Sequence, residues 1–84
     1  MIPLRRHALV WLSETPETDS LDDASAVAQW QAERYPYVVC RQGGGSDRVA
    51  LGFCLDSPGL RPRRIAVRAR PDQISRIERP PALT

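Results

Sequence analysis

The chain contains no lysine: all twelve of its basic residues are arginine. Arginine's planar fork matches phosphate and carboxylate, so such a set fits recognition of an anionic group. A GC-rich genome, which also favours alanine and proline, produces the same bias without functional content. Cysteine is scarce too. Cys40 and Cys54 have thirteen residues between them, and neither sits at metal-ligand spacing from a second cysteine or from the single histidine, His7. That leaves no candidate metal site or cofactor, and both thiols are expected to be buried and reduced. No run of about 20 apolar residues exists to cross a membrane. Met1–Arg6 lacks the apolar stretch of a signal peptide, so a cytoplasmic location is expected. With 84 residues the chain supports one small domain, 1–84, whose residues 79–84 resemble a linker.

What is present is a pattern of strands. Tyr37–Gln42 is a short, β-branched run, broken by Gly43-Gly44-Gly45-Ser46-Asp47 as by a hairpin loop. Arg48–Leu55 then alternates, Val49, Leu51, Phe53 and Leu55 against Arg48, Ala50, Gly52 and Cys54. Arg63–Arg70 alternates again, Ile65, Val67 and Ala69 against Arg64, Ala66, Arg68 and Arg70. Period-two alternation bounded by Gly and Pro clusters predicts half-buried antiparallel strands. The hydrophobic pattern favours a hairpin with Gln42 facing Asp47. That register puts Val38 and Cys40 on the face of Val49 and Leu51, and Arg41 opposite Arg48.

Ahead of these strands, Arg6–Leu12 reads as a strand, with His7 partly buried and Trp11 a core or sheet-face aromatic. Ser20-Leu21-Asp22-Asp23 signals a helix start, with a hydroxyl cap and acids near the positive end of the dipole. The helix should run to about Arg34 and stop before Pro36. Helical spacing gives it a buried stripe of Leu21, Ala24, Ala28, Ala32 and Tyr35 flanked by Val27. Trp30 lies off that stripe, either clasping the edge of the core or marking a contact surface. After Pro71, Asp72–Ser75 fits one helical turn, and Arg76–Arg79 a last edge strand. The order β-α-β-β-β with a fifth strand predicts an α+β domain: one helix on a strongly bent antiparallel sheet of four to five strands, or a small, partly open barrel of SH3 or Sm-like shape. Gly52 supplies the bend or bulge.

Charge is segregated. Residues 1–40 carry three arginines against six acids, net −3; residues 41–84 carry nine against four, net +5. Arg61, Arg63, Arg64, Arg68 and Arg70 crowd one strand and its approach, adjoined by Arg41 and Arg48. One reading is a solvated face that guards a sheet edge against aggregation. The other is an anion-binding face of Arg41, Arg48, Arg63, Arg64 and Arg68 for a phosphate-bearing cofactor, an acidic carrier protein or RNA. RNA is the weaker choice, because the aromatics do not interleave the basic strand. No catalytic residues stand out. Gly43–Ser46 has neither the lysine nor the following helix of a phosphate loop. Gly45-Ser46 followed by Asp56 mimics a nucleotidyltransferase, but Pro58 occupies the place of the second metal-binding acid.

The segments Arg6-His7-Ala8-Leu9-Val10-Trp11-Leu12, Tyr35-Pro36-Tyr37-Val38-Val39-Cys40-Arg41, Arg48-Val49-Ala50-Leu51-Gly52-Phe53, Pro62-Arg63-Arg64-Ile65-Ala66-Val67 and Pro80-Pro81, in that order, carry a resemblance. The chain resembles the N-terminal region of the phosphoribosyl-dephospho-CoA transferases, the holo-acyl-carrier-protein synthases of malonate decarboxylase. Those enzymes transfer a triphosphoribosyl-dephospho-CoA prosthetic group to a carrier protein. Their paired aspartates belong to the region after the one resembled. The resemblance therefore implies a non-catalytic accessory domain, with the arginine face meeting a dephospho-CoA-type precursor or the acyl carrier protein. Cys40 stands where the family tends to have arginine. A free-standing Sm-like RNA binder, or a homodimer built on exposed strand edges, is the alternative.

Overall fold

Five strands and one helix form in the order β1 (Leu9–Leu12), α1 (Leu21–Ala32), β2 (Tyr37–Arg41), β3 (Val49–Leu55), β4 (Arg63–Ala69) and, after a 3-10 turn at Pro71–Gln73, β5 (Ile74–Glu78). The computed structural model describes residues 6–41, 47–56, 59 and 61–78. The expected Gly43–Ser46 loop, the break at Ser57-Pro58 and the tail from Arg79 lie outside these. The strands make one sheet, ordered β4-β3-β2-β1-β5, with every neighbouring pair antiparallel. The α+β expectation holds, and the sheet stays open, because its edge strands β4 and β5 do not pair.

Chain connectivity requires the bend. A flat five-stranded sheet would hold its edge strands about 19 Å apart. Arg70 and a 3-10 turn, rising about 2 Å per residue, are too short for that span. The sheet must curl to bring the end of β4 towards the start of β5. The other free side of β4 is capped by Glu17, which exchanges two backbone hydrogen bonds with Arg68 (2.9 and 2.8 Å).

The concave face carries the core: Val10 and Leu12 from β1, Tyr37 and Val39 from β2, Val49, Leu51 and Phe53 from β3, and Ile65, Val67 and Ala69 from β4. The alternations of β3 and β4 are thus realised, in an unbroken register from Val49↔Ala69 to Leu55↔Arg63. The hairpin register differs from expectation. Val38 faces Gly52 and Val39 faces Leu51, so Tyr37 and Val39 turn inward rather than Val38 and Cys40. A one-residue slip exchanges the faces of a strand, and burying Tyr37 outweighs burying Cys40. Arg41 lies opposite Ala50, not Arg48. The irregularity that admits this is a bulge in β2 at Cys40, not at Gly52. Gly52 serves close approach instead: a Cβ there would sit 3.1 Å from the Ile65 carbonyl oxygen and 3.3 Å from Cys40 Sγ.

The helix also presents a different face. Ser20 is its N-cap residue, although its hydroxyl makes no capping bond. Leu21 is 93% exposed, and Ala24, Ala28 and Ala32 face solvent; Val27 is buried, with Ala26 and Trp30 packed beside it. Alanine favours a helix without needing burial, whereas the large surface of Trp30 favours the core. Trp30 stacks on Phe53 and donates its indole N–H to the Pro36 carbonyl at 3.1 Å. At the helix end Arg34 adopts the left-handed conformation, φ 58°, and Pro36 follows. β1 begins only at Leu9, because His7, exposed rather than partly buried, has φ 72°. Cys54 is exposed and Cys40 half-buried, and both are free, so neither is the buried thiol expected.

Candidate anion-binding face

The convex side of the sheet has a floor of small residues. On β3 and β4 the outward positions are Ala50 and Gly52 facing Arg68 and Ala66. Cys40 Sγ and the Arg64 guanidinium lie over Gly52, 3.3 and 3.7 Å from where a Cβ would sit, so the open part of this floor is Ala50 and Ala66. Arg64 lies two residues before Ala66 and donates a hydrogen bond from Nη2 to Cys40 Sγ at 2.8 Å. That contact, chiefly through the hydrogen bond, raises the Arg64 pKa above its ordinary value. Arg68 lies two residues beyond Ala66.

Arg41 reaches the same side through the bulge. Strict alternation would have aimed it at the core, as Val39 is aimed. The extra residue at Cys40 lets Cys40 and Arg41 together oppose Ala50. Arg41, Ala50 and Arg68 thus form one rung across three strands, with the two arginine backbones about 10 Å apart. A groove of about 250 Å³ lies between Arg64 and Arg68 over Ala50 and Ala66, and Arg41 stands outside its lining.

The other candidate arginines are placed differently. Arg63 shares the helix-side face with Ile65 and pairs with Asp23 in the first turn of α1, whose carboxylate is largely covered. Arg48, just before β3, reaches Glu17 at 3.5 Å. Arg68 itself pairs with Asp19. The acids of the first half of the chain therefore fold onto the arginines of the second half. The opposed net charges of the two halves of the chain signal this pairing without singling out Glu17, Asp19 and Asp23 as the partners. The small residues Ala50, Gly52 and Ala66 are spelt out by the outward positions of the two alternating strands.

A family model for the phosphoribosyl-dephospho-CoA transferase MdcG N-terminal domain matches residues 5–80. The chain belongs to that family. The match takes in every described strand and the helix. No curated protein and no solved structure matches the chain. Among the described residues of this family member, no three His, Cys, Asp or Glu side chains gather where they could hold a metal ion. No described helix is long and apolar enough to cross a membrane.

Proposed function

We propose that this domain is a non-catalytic accessory part of a phosphoribosyl-dephospho-CoA transferase of the malonate decarboxylase system, a holo-acyl-carrier-protein synthase. In this reading it holds the anionic prosthetic-group precursor or the acidic carrier protein on its convex arginine face. One observation supports the reading above the others: the bulge at Cys40 turns Arg41 onto the side of the sheet where Arg64 and Arg68 flank a groove floored by Ala50 and Ala66. Small residues let a flat or extended group approach the sheet, and guanidinium forks bind phosphate or carboxylate oxygens in pairs. Arg48 and Arg63, at the starts of β3 and β4, are each neutralised by their own acid, so the reading rests on Arg41, Arg64 and Arg68.

Titration of the isotope-labelled chain with dephospho-CoA, and separately with the apo carrier protein, tests this by NMR. One of the two ligands should shift the amides of Ala50, Gly52 and Ala66, and an Arg64→Ala/Arg68→Ala variant should lose those shifts. Absence of any shift with both ligands at millimolar concentration removes the reading.

A further inference from the structure

A second cleft lies at the other end of β2, between the C-terminal end of α1 and the β1–β5 edge. It holds about 580 Å³, within the roughly 300–1,000 Å³ of small-molecule sites. Its walls combine aromatic rings with guanidiniums: Trp11 and Tyr35, Arg34 and Arg76. No acidic residue lines it, whereas the convex groove carries Glu17 and Asp19 among its lining residues.

Its other polar groups are already engaged. Gln31 Nε2 donates to the Leu12 carbonyl at 2.8 Å, and the Ser75 hydroxyl donates to the Trp11 carbonyl at 3.1 Å. The Tyr35 ring and the Arg34 guanidinium therefore remain for a ligand, while Arg76 also pairs with Glu78 at 3.6 Å on the exposed strand and would have to share its fork with a phosphate. Tyr35 rests against Trp30, ring centroids 4.7 Å apart, yet stays 48% exposed. The Arg76 guanidinium lies 4.7 Å from the Trp11 ring centroid. Arg34 has no acidic partner among the described residues, and its left-handed backbone is a conformation that a non-glycine side chain seldom holds. The β1–β5 register slips at this point: Trp11 faces Arg76 and Leu12 faces Ile74, so Ser75 is the extra residue. Bulges of this kind re-aim side chains beside binding sites.

From this arrangement we infer that the cleft is a binding site for a nucleoside phosphate, separate from the arginine face. The base stacks against Tyr35 and the edge of Trp11, as bases stack on aromatic side chains elsewhere. Arg34 and Arg76 take the phosphate oxygens through their planar forks.

The probes are ADP, adenosine and inorganic pyrophosphate, each titrated into the full chain and followed by the Trp11 indole and the Ser75 amide in NMR, with affinities from calorimetry. ADP is expected to shift both signals, with adenosine and pyrophosphate each weaker by about ten-fold or more. The Arg34→Gly variant separates binding from folding, because glycine accepts a positive φ without strain. Its thermal midpoint should not fall, while its ADP affinity should drop by about ten-fold. Shifts at the Trp11 indole and the Ser75 amide distinguish this site from the convex face, whose reporters are the amides of Ala50, Gly52 and Ala66, and Leu21→Ala, outside both, should leave them unchanged. The inference is overturned by an absence of shifts at millimolar ADP, by shifts confined to the Arg64 side, by pyrophosphate binding as tightly as ADP, or by Arg34→Gly binding like the parent chain.

Discussion

Trp30 lies parallel to Phe53, with ring centroids 4.4 Å apart and planes inclined by 11°. This stack fastens α1 to β3, and Tyr37 meets Phe53 edge-on at 5.7 Å. Offset-stacked and edge-to-face pairs add roughly 0.5–1.5 kcal/mol to what their burial contributes. Replacing Trp30 with Ala should therefore destabilise the domain by about 2–4 kcal/mol. Leu21→Ala, on the exposed start of the same helix, should change stability by less than about 0.5 kcal/mol. Urea unfolding of the two variants is the check. The reverse ranking would restore the alanine stripe as the buried face.

That helix shows where the sequence was readable and where it was not. β3 and β4 were legible because each alternates an apolar face with one that is small or charged, which leaves a single way to bury them. In β2, Tyr37, Val38, Val39 and Cys40 are all compatible with a core, so alternation cannot choose a face; the bulge at Cys40 then decides where Arg41 points. In α1, alanines at helical spacing imitate a buried stripe, although burial of Val27 and Trp30 is worth more. The arginines of the convex face could be read from composition. Their acidic partners could not, because Glu17 and Asp19 reach Arg48 and Arg68 only through the path of the loop along the edge of β4. The cleft joins Trp11, Arg34 and Arg76, which no sequence spacing connects.

Gly52 marks how closely the convex face is packed. A methyl group there meets the Ile65 carbonyl oxygen at 3.1 Å, a backbone atom that the β3–β4 ladder holds in place. Gly52→Ala should lower stability by about 1–2 kcal/mol, as overpacking does. It should also displace Cys40 Sγ, the acceptor of the Arg64 hydrogen bond. Denaturant unfolding reads the first effect. Reaction of Cys40 with a thiol reagent reads the second and should become faster.

Tyr37 gives the domain an alkaline weakness. Burial pushes its hydroxyl up to about 12 from an ordinary 10, and the hydroxyl donates to Gln31 Oε1 at 2.9 Å. Above pH 10 the unfolded chain loses this proton while the folded chain keeps it. Stability present below pH 10 therefore falls as pH rises towards 12, by about 2–3 kcal/mol in all. Tyr37→Phe should start about 1 kcal/mol lower at neutral pH, having lost the hydrogen bond. Its stability should stay flatter with pH, so the two curves cross near about pH 11. Parallel curves from unfolding measured between neutral pH and pH 12 would assign the alkaline loss to another group.

Asp19 restrains the convex face. Its carboxylate pairs with Arg68 on the surface, with both side chains well exposed. Such a pair contributes at most about 0.5 kcal/mol to stability, so Asp19→Ala should leave unfolding nearly unchanged. The effect on an anionic ligand should be larger. Removing this carboxylate leaves the Arg68 guanidinium free to turn towards the groove, and takes a negative charge out of a site about 10 Å across, comparable to the screening length at 0.1 M salt. Dephospho-CoA should then bind several-fold more tightly at low salt, with the gain shrinking as salt is raised. Glu33→Ala, at the far end of the helix, should bring no such gain. Calorimetric titration of the three proteins at low and high salt decides the matter. Equal affinities for Asp19→Ala and the parent chain would mean that Arg68 does not face the ligand, leaving the convex site with Arg41 and Arg64 alone.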